Sequence, residues 1–122
     1  MNIGIKHIEI AVSDLQKSLS FYDKLFEMIG WKKVENNGYV SGNTKIYLKK
    51  WDFPKGHTLG VRHMCFWAED RAIVDRVGEY VKSTGAEIIR GPLIVEKYSP
   101  DYYTIDFYDL DGCILEVAHT PN

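Results

Sequence analysis

The sequence predicts an α+β fold of two βαβββ modules that form a curved mixed sheet with the helices on its convex side. Segments of alternating apolar and polar residues predict strands, and apolar residues three or four positions apart predict helices. The same order of elements occurs twice. In each copy a histidine lies seven residues before the aspartate that starts the helix, His7 before Asp14 and His63 before Asp70. A repeat of about 55 residues present only twice favours a quasi-two-fold fold over a solenoid.

The first module is predicted to span residues 1–51. Residues 3–12 alternate, which places the side chains of His7 and Glu9 on the concave face and the aliphatic side chains against the helix. A capping box starting at Ser13 begins the helix, and Gly30 ends it. The positions predicted to be buried in this helix are Leu15, Leu19, Tyr22, Phe26 and Ile29. Strands are predicted near 31–35, 38–42 and 44–50, separated by turn-forming sequences.

A linker over 52–60, rich in proline and glycine, leads to the second module at 61–122. The strand over 61–68 places His63, Cys65 and Trp67 on the concave face. Asp70 caps the second helix and Gly85 ends it, and the remaining strands are predicted near 86–90, 102–108 and 113–119. In the last of these, Glu116 faces the concavity. At 122 residues the two modules make a single domain.

Composition excludes several classes of function. The formal net charge of -2 argues against a nucleic-acid or anionic-membrane surface. No apolar run approaches the roughly 20 residues that span a bilayer, and the N-terminus lacks a signal-peptide pattern. Cys65 and Cys113 are far apart in apolar segments, so we expect free thiols and a cytoplasmic location.

The residues themselves raise the hypothesis of a metal site. His7, His63 and Glu116 are predicted on one face of three strands, and two imidazoles with one carboxylate leave coordination positions open. Such ligands suit Fe(II), Mn, Ni, Co or Zn. The alternative is that each histidine is a hydrogen-bonded, partly buried residue and that the glutamate is solvated. Glu9 is either a base near the metal or a partner for a neighbouring cation or tyrosine.

Three segments resemble the vicinal oxygen chelate superfamily, which includes glyoxalase I, extradiol dioxygenases, and fosfomycin and bleomycin resistance proteins. They are KHIEIAVSDLQKSLSFYDKLF at 6–26, RHMCFWAEDRAIVDRV at 62–77 and FYDLDGCILEVAH at 107–119. The resemblance implies a glyoxalase-like fold, His7, His63 and Glu116 as metal ligands, a small-molecule substrate and a homodimer. Glyoxalase I takes a fourth ligand from the fourth strand, where this sequence has Tyr47.

The resemblance favours a metal-dependent lyase or isomerase acting on a small substrate that chelates the metal through oxygens. In this interpretation Glu116 or Glu9 moves the proton. The residues expected to line the substrate pocket are Tyr47, Trp67, Tyr98 and Tyr103, with Tyr102, Cys65 and Arg90 as further candidates. The alternatives are an Fe(II) dioxygenase, a non-catalytic drug-binding protein, and a module without a ligand.

Overall fold

The computed structural model describes residues 4–52, 61 and 63–121. The chain divides into two compact units, Met1–Pro54 and Lys55–Asn122. Of the predicted linker, all but Asp52 lies outside the described residues. In the part of the chain that is described, no helix is long and apolar enough to cross a membrane.

The first unit is a four-stranded mixed sheet with one helix. Its elements are β1 (His7–Val12), α1 (Leu15–Met28), β2 (Lys32–Val34), β3 (Gly38–Ser41) and β4 (Thr44–Lys50). The strand order is β1-β4-β3-β2, in which β1 runs parallel to β4 and the other neighbours are antiparallel. The connection from β1 to its parallel partner β4 contains α1, β2 and β3, which gives the long crossover that parallel strands require.

The second unit repeats this arrangement. Its elements are β5 (His63–Trp67), α2 (Arg71–Thr84), β6 (Ile88–Ile94), β7 (Tyr103–Tyr108) and β8 (Ile114–His119). The order is β5-β8-β7-β6, with β5 parallel to β8. Asp70 caps α2 by accepting a hydrogen bond from the Ile73 amide at 2.9 Å, and Gly85 ends the helix at a φ of 79°. The predicted fold of two βαβββ modules is confirmed.

Two local predictions in the first helix are wrong. The cap is Asp14, whose side chain accepts from the Lys17 amide at 3.1 Å, and Ser13 lies before it. Leu15, Leu19 and Ile29 are only half-buried. The fully buried residues of α1 are Ser18, Phe21, Tyr22, Leu25 and Phe26. The aromatic rings explain this rotation of the buried stripe, because Phe26 stacks on Tyr39 of β3 with ring centroids 4.4 Å apart.

Strand β6 runs four residues beyond its predicted end at residue 90, through Pro92 to Ile94. Proline lacks an N–H donor and is tolerated at a sheet edge, which is where β6 lies. The pairing of β6 with β7 is irregular on both sides of Arg90. At Gly91, with a φ of 91°, a Cβ would lie 2.4 Å from the Thr104 carbonyl oxygen, so this irregular edge requires glycine.

In each unit one face of the sheet packs on the helix, and we call the opposite side the helix-free face. The buried side chains Ile10, Val12, Ile46 and Leu48 belong to the helix side of the first sheet. In the second sheet, Phe66, Ile105, Phe107, Leu115 and Val117 have that position. Alternation along the strands therefore directs the predicted site residues of β1, β5 and β8 to the helix-free faces.

Candidate functional site

A row of polar side chains crosses the helix-free face of the second unit. Strand register aligns Cys65 of β5 with Glu116 of β8, Glu116 with Asp106 of β7, and Asp106 with Arg90 of β6. Neighbouring members of such a row are about 5 Å apart. The row therefore places a thiol, two carboxylates and a guanidinium side by side.

Glu116 lies in the middle of this row and is buried, with 5% of its surface exposed. Its Oε2 atom accepts hydrogen bonds from the Tyr102 hydroxyl at 2.9 Å and the Thr104 hydroxyl at 2.7 Å. Burying a carboxylate is costly unless hydrogen-bond donors replace the lost water. These two hydroxyls provide that replacement on one side of the carboxylate.

The other oxygen of Glu116 faces His63. The distance from His63 Nε2 to Glu116 Oε1 is 3.4 Å. Two atoms that each bind the same ion at about 2.1 Å lie roughly 3.0–3.4 Å apart, so this pair has the separation expected of two ligands of one metal. Its chemistry, one imidazole and one carboxylate, also fits a borderline divalent ion.

The third predicted ligand, His7, belongs to the first unit. Its side chain is exposed, and its ring lies edge-on to Tyr47 with centroids 6.0 Å apart. Among residues 4–52, 61 and 63–121, no group of three or more His, Cys, Asp or Glu side chains forms a cluster that could hold a metal ion. Within the second unit, the structure brings the predicted ligands His63 and Glu116 together.

Glu9 and Tyr47 are partners on the helix-free face of the first unit. Strand register pairs them across β1 and β4, and Glu9 is exposed. The Tyr47 ring also lies over Gly38 of β3, where an added Cβ would be 2.6 Å from a ring carbon. Glycine at this position therefore lets the ring lie against the sheet.

The hydroxyl of Tyr102 and the thiol of Cys65 both keep their protons at neutral pH. Desolvation, followed by hydrogen bonds to Cys65 and Glu116, raises the pKa of Tyr102 far above its usual range. Desolvation also raises the pKa of Cys65 to about 11, helped by the charge of Glu116. Tyr102 is therefore a hydrogen-bond donor here.

The Arg90–Asp106 ion pair was missed in part by the sequence reasoning, which considered only the arginine. Arg90 Nε lies 2.6 Å from Asp106 Oδ2, and this contact raises the pKa of Arg90. Asp106 Oδ1 is buried without a hydrogen-bond partner, the one such side-chain atom found in the described residues. The signal for Asp106 is its polar side chain between the apolar residues Ile105 and Phe107 of the same strand.

Two of the aromatic residues predicted for the pocket lie near this row. Trp67 is 66% exposed and shares the face of His63, and Tyr98 is 55% exposed and contacts the Tyr102 ring edge-on at 5.2 Å. Tyr103 does not join them. Its hydroxyl donates to Asp75 of α2, so it lies on the helix side, as its position next to Tyr102 and Thr104 in the alternating strand requires.

A fold of two βαβββ units with a histidine–glutamate pair on the helix-free face defines a glyoxalase-like protein. The family model described as the Glyoxalase/Bleomycin resistance protein/Dioxygenase superfamily matches residues 4–117. The chain belongs to this superfamily. No curated protein matches it.

Solved structures with this fold are similar over nearly the whole chain. A candidate glyoxalase from Bacillus halodurans is 25% identical, with a TM-score of 0.79 and 95% of each chain covered. A glyoxalase/bleomycin resistance protein from Albidiferax ferrireducens is 21% identical, with a TM-score of 0.78 and coverage of 96% of this chain and 98% of that one. The fosfomycin resistance protein FosX from Listeria monocytogenes is 22% identical, with a TM-score of 0.72 and coverage of 100% and 94%.

Proposed function

We propose that this chain is a divalent-metal-dependent enzyme of the lyase or isomerase type. Its substrate is a small molecule that chelates the metal through adjacent oxygens, and its ligands are His7, His63 and Glu116. The observation that carries the proposal is the 3.4 Å separation of His63 Nε2 and Glu116 Oε1 on the helix-free face. When bound, the metal supplies Lewis-acid stabilisation of a developing oxyanion.

Glu9 is the better candidate for moving the proton. Glu116 already accepts two hydroxyl hydrogens and faces His63, whereas Glu9 is exposed on the helix-free face of its own sheet. A general base must reach the proton that it removes, and an exposed carboxylate can approach a substrate carbon. The hydroxyl of Tyr47, the strand partner of Glu9, is our further candidate for a hydrogen bond to a substrate oxygen.

The test is the metal content of protein purified without chelator and without a metal-affinity tag. We expect near-stoichiometric metal in the wild type and its loss in His63→Ala and Glu116→Gln. His119→Ala is the matched control, because His119 lies on the same strand as Glu116 but bonds to the Ala68 carbonyl oxygen through Nδ1. Absence of metal from the wild type after dialysis against Fe(II), Mn, Ni, Co and Zn would refute the proposal.

The third ligand is tested in the same way with His7→Ala. We also propose that the chain forms a homodimer. A reducing compartment such as the cytoplasm is proposed because Cys65 and Cys113 are free thiols. If His7 acts on a partner chain, mixed dimers of His7→Ala and Glu116→Gln recover metal at one of their two sites. If the site lies within one chain, such mixtures bind no more metal than the separate variants.

A second function, non-catalytic binding of an aromatic compound, is favoured by the exposed Trp67 and Tyr98 side chains. A pure binder would not need the His63–Glu116 pair. Binding of an aromatic drug such as bleomycin, unchanged in Glu116→Gln and in chelator-treated protein, would support it. Dioxygen uptake by the Fe(II)-loaded wild type would instead support dioxygenase chemistry at the same site.

A further inference from the structure

The two oxygens of Glu116 have unequal surroundings. Oε2 accepts from the hydroxyls of both Tyr102 and Thr104, whereas Oε1 lies 3.4 Å from His63. Both donors come from one side of Glu116, because Thr104 lies in β7 and Tyr102 is the residue directly before that strand. Tyr102 and Thr104 therefore hold Oε2, while Oε1 points toward His63 of β5.

We propose that Tyr102 and Thr104 are positioning residues that occupy Oε2 of Glu116, so that the carboxylate offers Oε1 alone to a divalent ion beside His63. The inference rests on the proposed function. It adds that Glu116 acts as a one-oxygen ligand and names the two side chains that make it so.

The hydroxyl of Thr104 could serve either of two acceptors. It lies 2.7 Å from Glu116 Oε2 and 3.2 Å from the Val117 carbonyl oxygen. A hydroxyl has one proton, and the shorter contact to a charged acceptor is the stronger hydrogen bond. Thr104 is completely buried, so no water competes for this proton.

The hydroxyl of Tyr102 has a similar choice. Its other neighbour is the thiol of Cys65, with the two atoms 3.7 Å apart, against 2.9 Å to Glu116 Oε2. Sulfur is the weaker acceptor, so the phenol proton goes to the carboxylate. Two charge-assisted hydrogen bonds thus converge on one oxygen, which limits rotation of the carboxylate group.

A purely structural role makes a different prediction from a positioning role. Hydrogen bonds that only stabilise the fold would change the free energy of unfolding and leave the metal dissociation constant unchanged. Partners that orient a ligating carboxylate change the metal affinity, typically by ten- to a hundredfold. The dissociation constant of the folded protein for Co²⁺ therefore distinguishes the two roles.

The experiment measures Co²⁺ binding by calorimetry and by the visible spectrum of the bound ion. We expect Tyr102→Phe and Thr104→Val each to weaken binding by about tenfold and to alter the spectrum, because a carboxylate free to rotate can present both oxygens. Thr104→Ser keeps the hydroxyl and should keep the wild-type affinity.

Tyr103→Phe is the matched control. It also removes a hydrogen bond from a tyrosine hydroxyl to a carboxylate, at the position next to Tyr102. This hydrogen bond lies on the helix side of the sheet, where the acceptor is Asp75. We expect wild-type Co²⁺ affinity in this variant. Circular dichroism of the metal-free proteins verifies that each variant is folded. If Thr104→Val does not fold, Tyr102→Phe, at a half-buried position, tests the positioning role alone.

The possible failures are distinguishable. If Tyr102→Phe and Thr104→Val bind Co²⁺ as tightly as the wild type while His63→Ala does not bind it, the positioning role is wrong and the proposed metal site stands. An equal loss in Tyr103→Phe would also overturn the inference, since the effect would not be specific to Glu116. If the wild type binds no Co²⁺, both proposals fail.

Discussion

Replacing Arg90 by methionine should destabilise the second unit by about 2 kcal/mol, because it breaks a partly buried ion pair. Arg90 Nε and Asp106 Oδ2 are 2.6 Å apart, and the two side chains are 35% and 15% exposed. Breaking a fully buried ion pair costs about 3–5 kcal/mol, and an exposed pair contributes roughly 0–1 kcal/mol. The cost here lies between these limits because Asp106 is mostly buried while Arg90 partly contacts solvent.

The position of Asp106 in the row increases this cost. Its Oδ1 atom already lacks a hydrogen-bond partner, and Glu116 stands directly opposite on the next strand. Without the Arg90 guanidinium, no cation next to Asp106 would offset the repulsion between these two carboxylates, which lie opposite each other on an antiparallel pair. Methionine retains an unbranched apolar stem, so the measured loss reports mainly on the missing guanidinium.

Urea denaturation of wild type, Arg90→Met, Asp106→Asn and the double variant measures the pair by a double-mutant cycle. Lys33→Met is the matched control, since Lys33 and Asp23 form a 2.7 Å ion pair whose side chains are 40% and 50% exposed. That variant should lose less than about 1 kcal/mol. The reasoning is refuted if Arg90→Met loses no more than Lys33→Met, or if the cycle gives no coupling between Arg90 and Asp106.

Two further predictions concern the helix cap and the thiols. Asp14→Ala should lower the free energy of unfolding by about 1 kcal/mol and Ser13→Ala by less, because Asp14 caps α1. Thermal unfolding of the two variants measures the difference. A larger loss in Ser13→Ala would show that Ser13 is the cap. In a Cys113→Ser background, alkylation of Cys65 by iodoacetamide should keep accelerating as pH rises toward about 11, where its pKa lies, because only the thiolate reacts. An ordinary thiol levels off above its pKa of about 8.5, and that profile would contradict the raised pKa of Cys65.

Much of the fold was predictable because its signals are local. Apolar alternation marked the strands, Asp70 and Gly85 marked the ends of α2, and the spacing of His7 and His63 revealed the repeat. Each of these features depends on residues a few positions apart, where backbone geometry alone decides which side chains share a face. The prediction that His63 and Glu116 share a face also followed from alternation.

The network around Glu116 was not predictable, since it depends on pairing between distant segments. Tyr102 and Thr104 reach Glu116 only through the register of β7 on β8, which the sequence does not specify. Tyr103, which lies between these two residues, is on the helix side, contrary to its predicted place in the pocket. The irregular pairing around Arg90 was also not predictable. Proline normally indicates the end of a strand, and the sequence does not show that the strand containing Pro92 lies at a sheet edge, where proline is tolerated.

Register also shows how the two units have diverged chemically. Aligning the units on their first-strand histidines makes Tyr47 the counterpart of Glu116 and Gly38 the counterpart of Asp106. In the first unit the missing side chain of Gly38 makes room for an aromatic ring, whereas in the second unit two carboxylates occupy these positions. The first unit therefore has no carboxylate equivalent to Glu116 on its fourth strand. A proposed metal with three protein ligands instead of four keeps more positions for substrate, and this favours a substrate that binds through two oxygens.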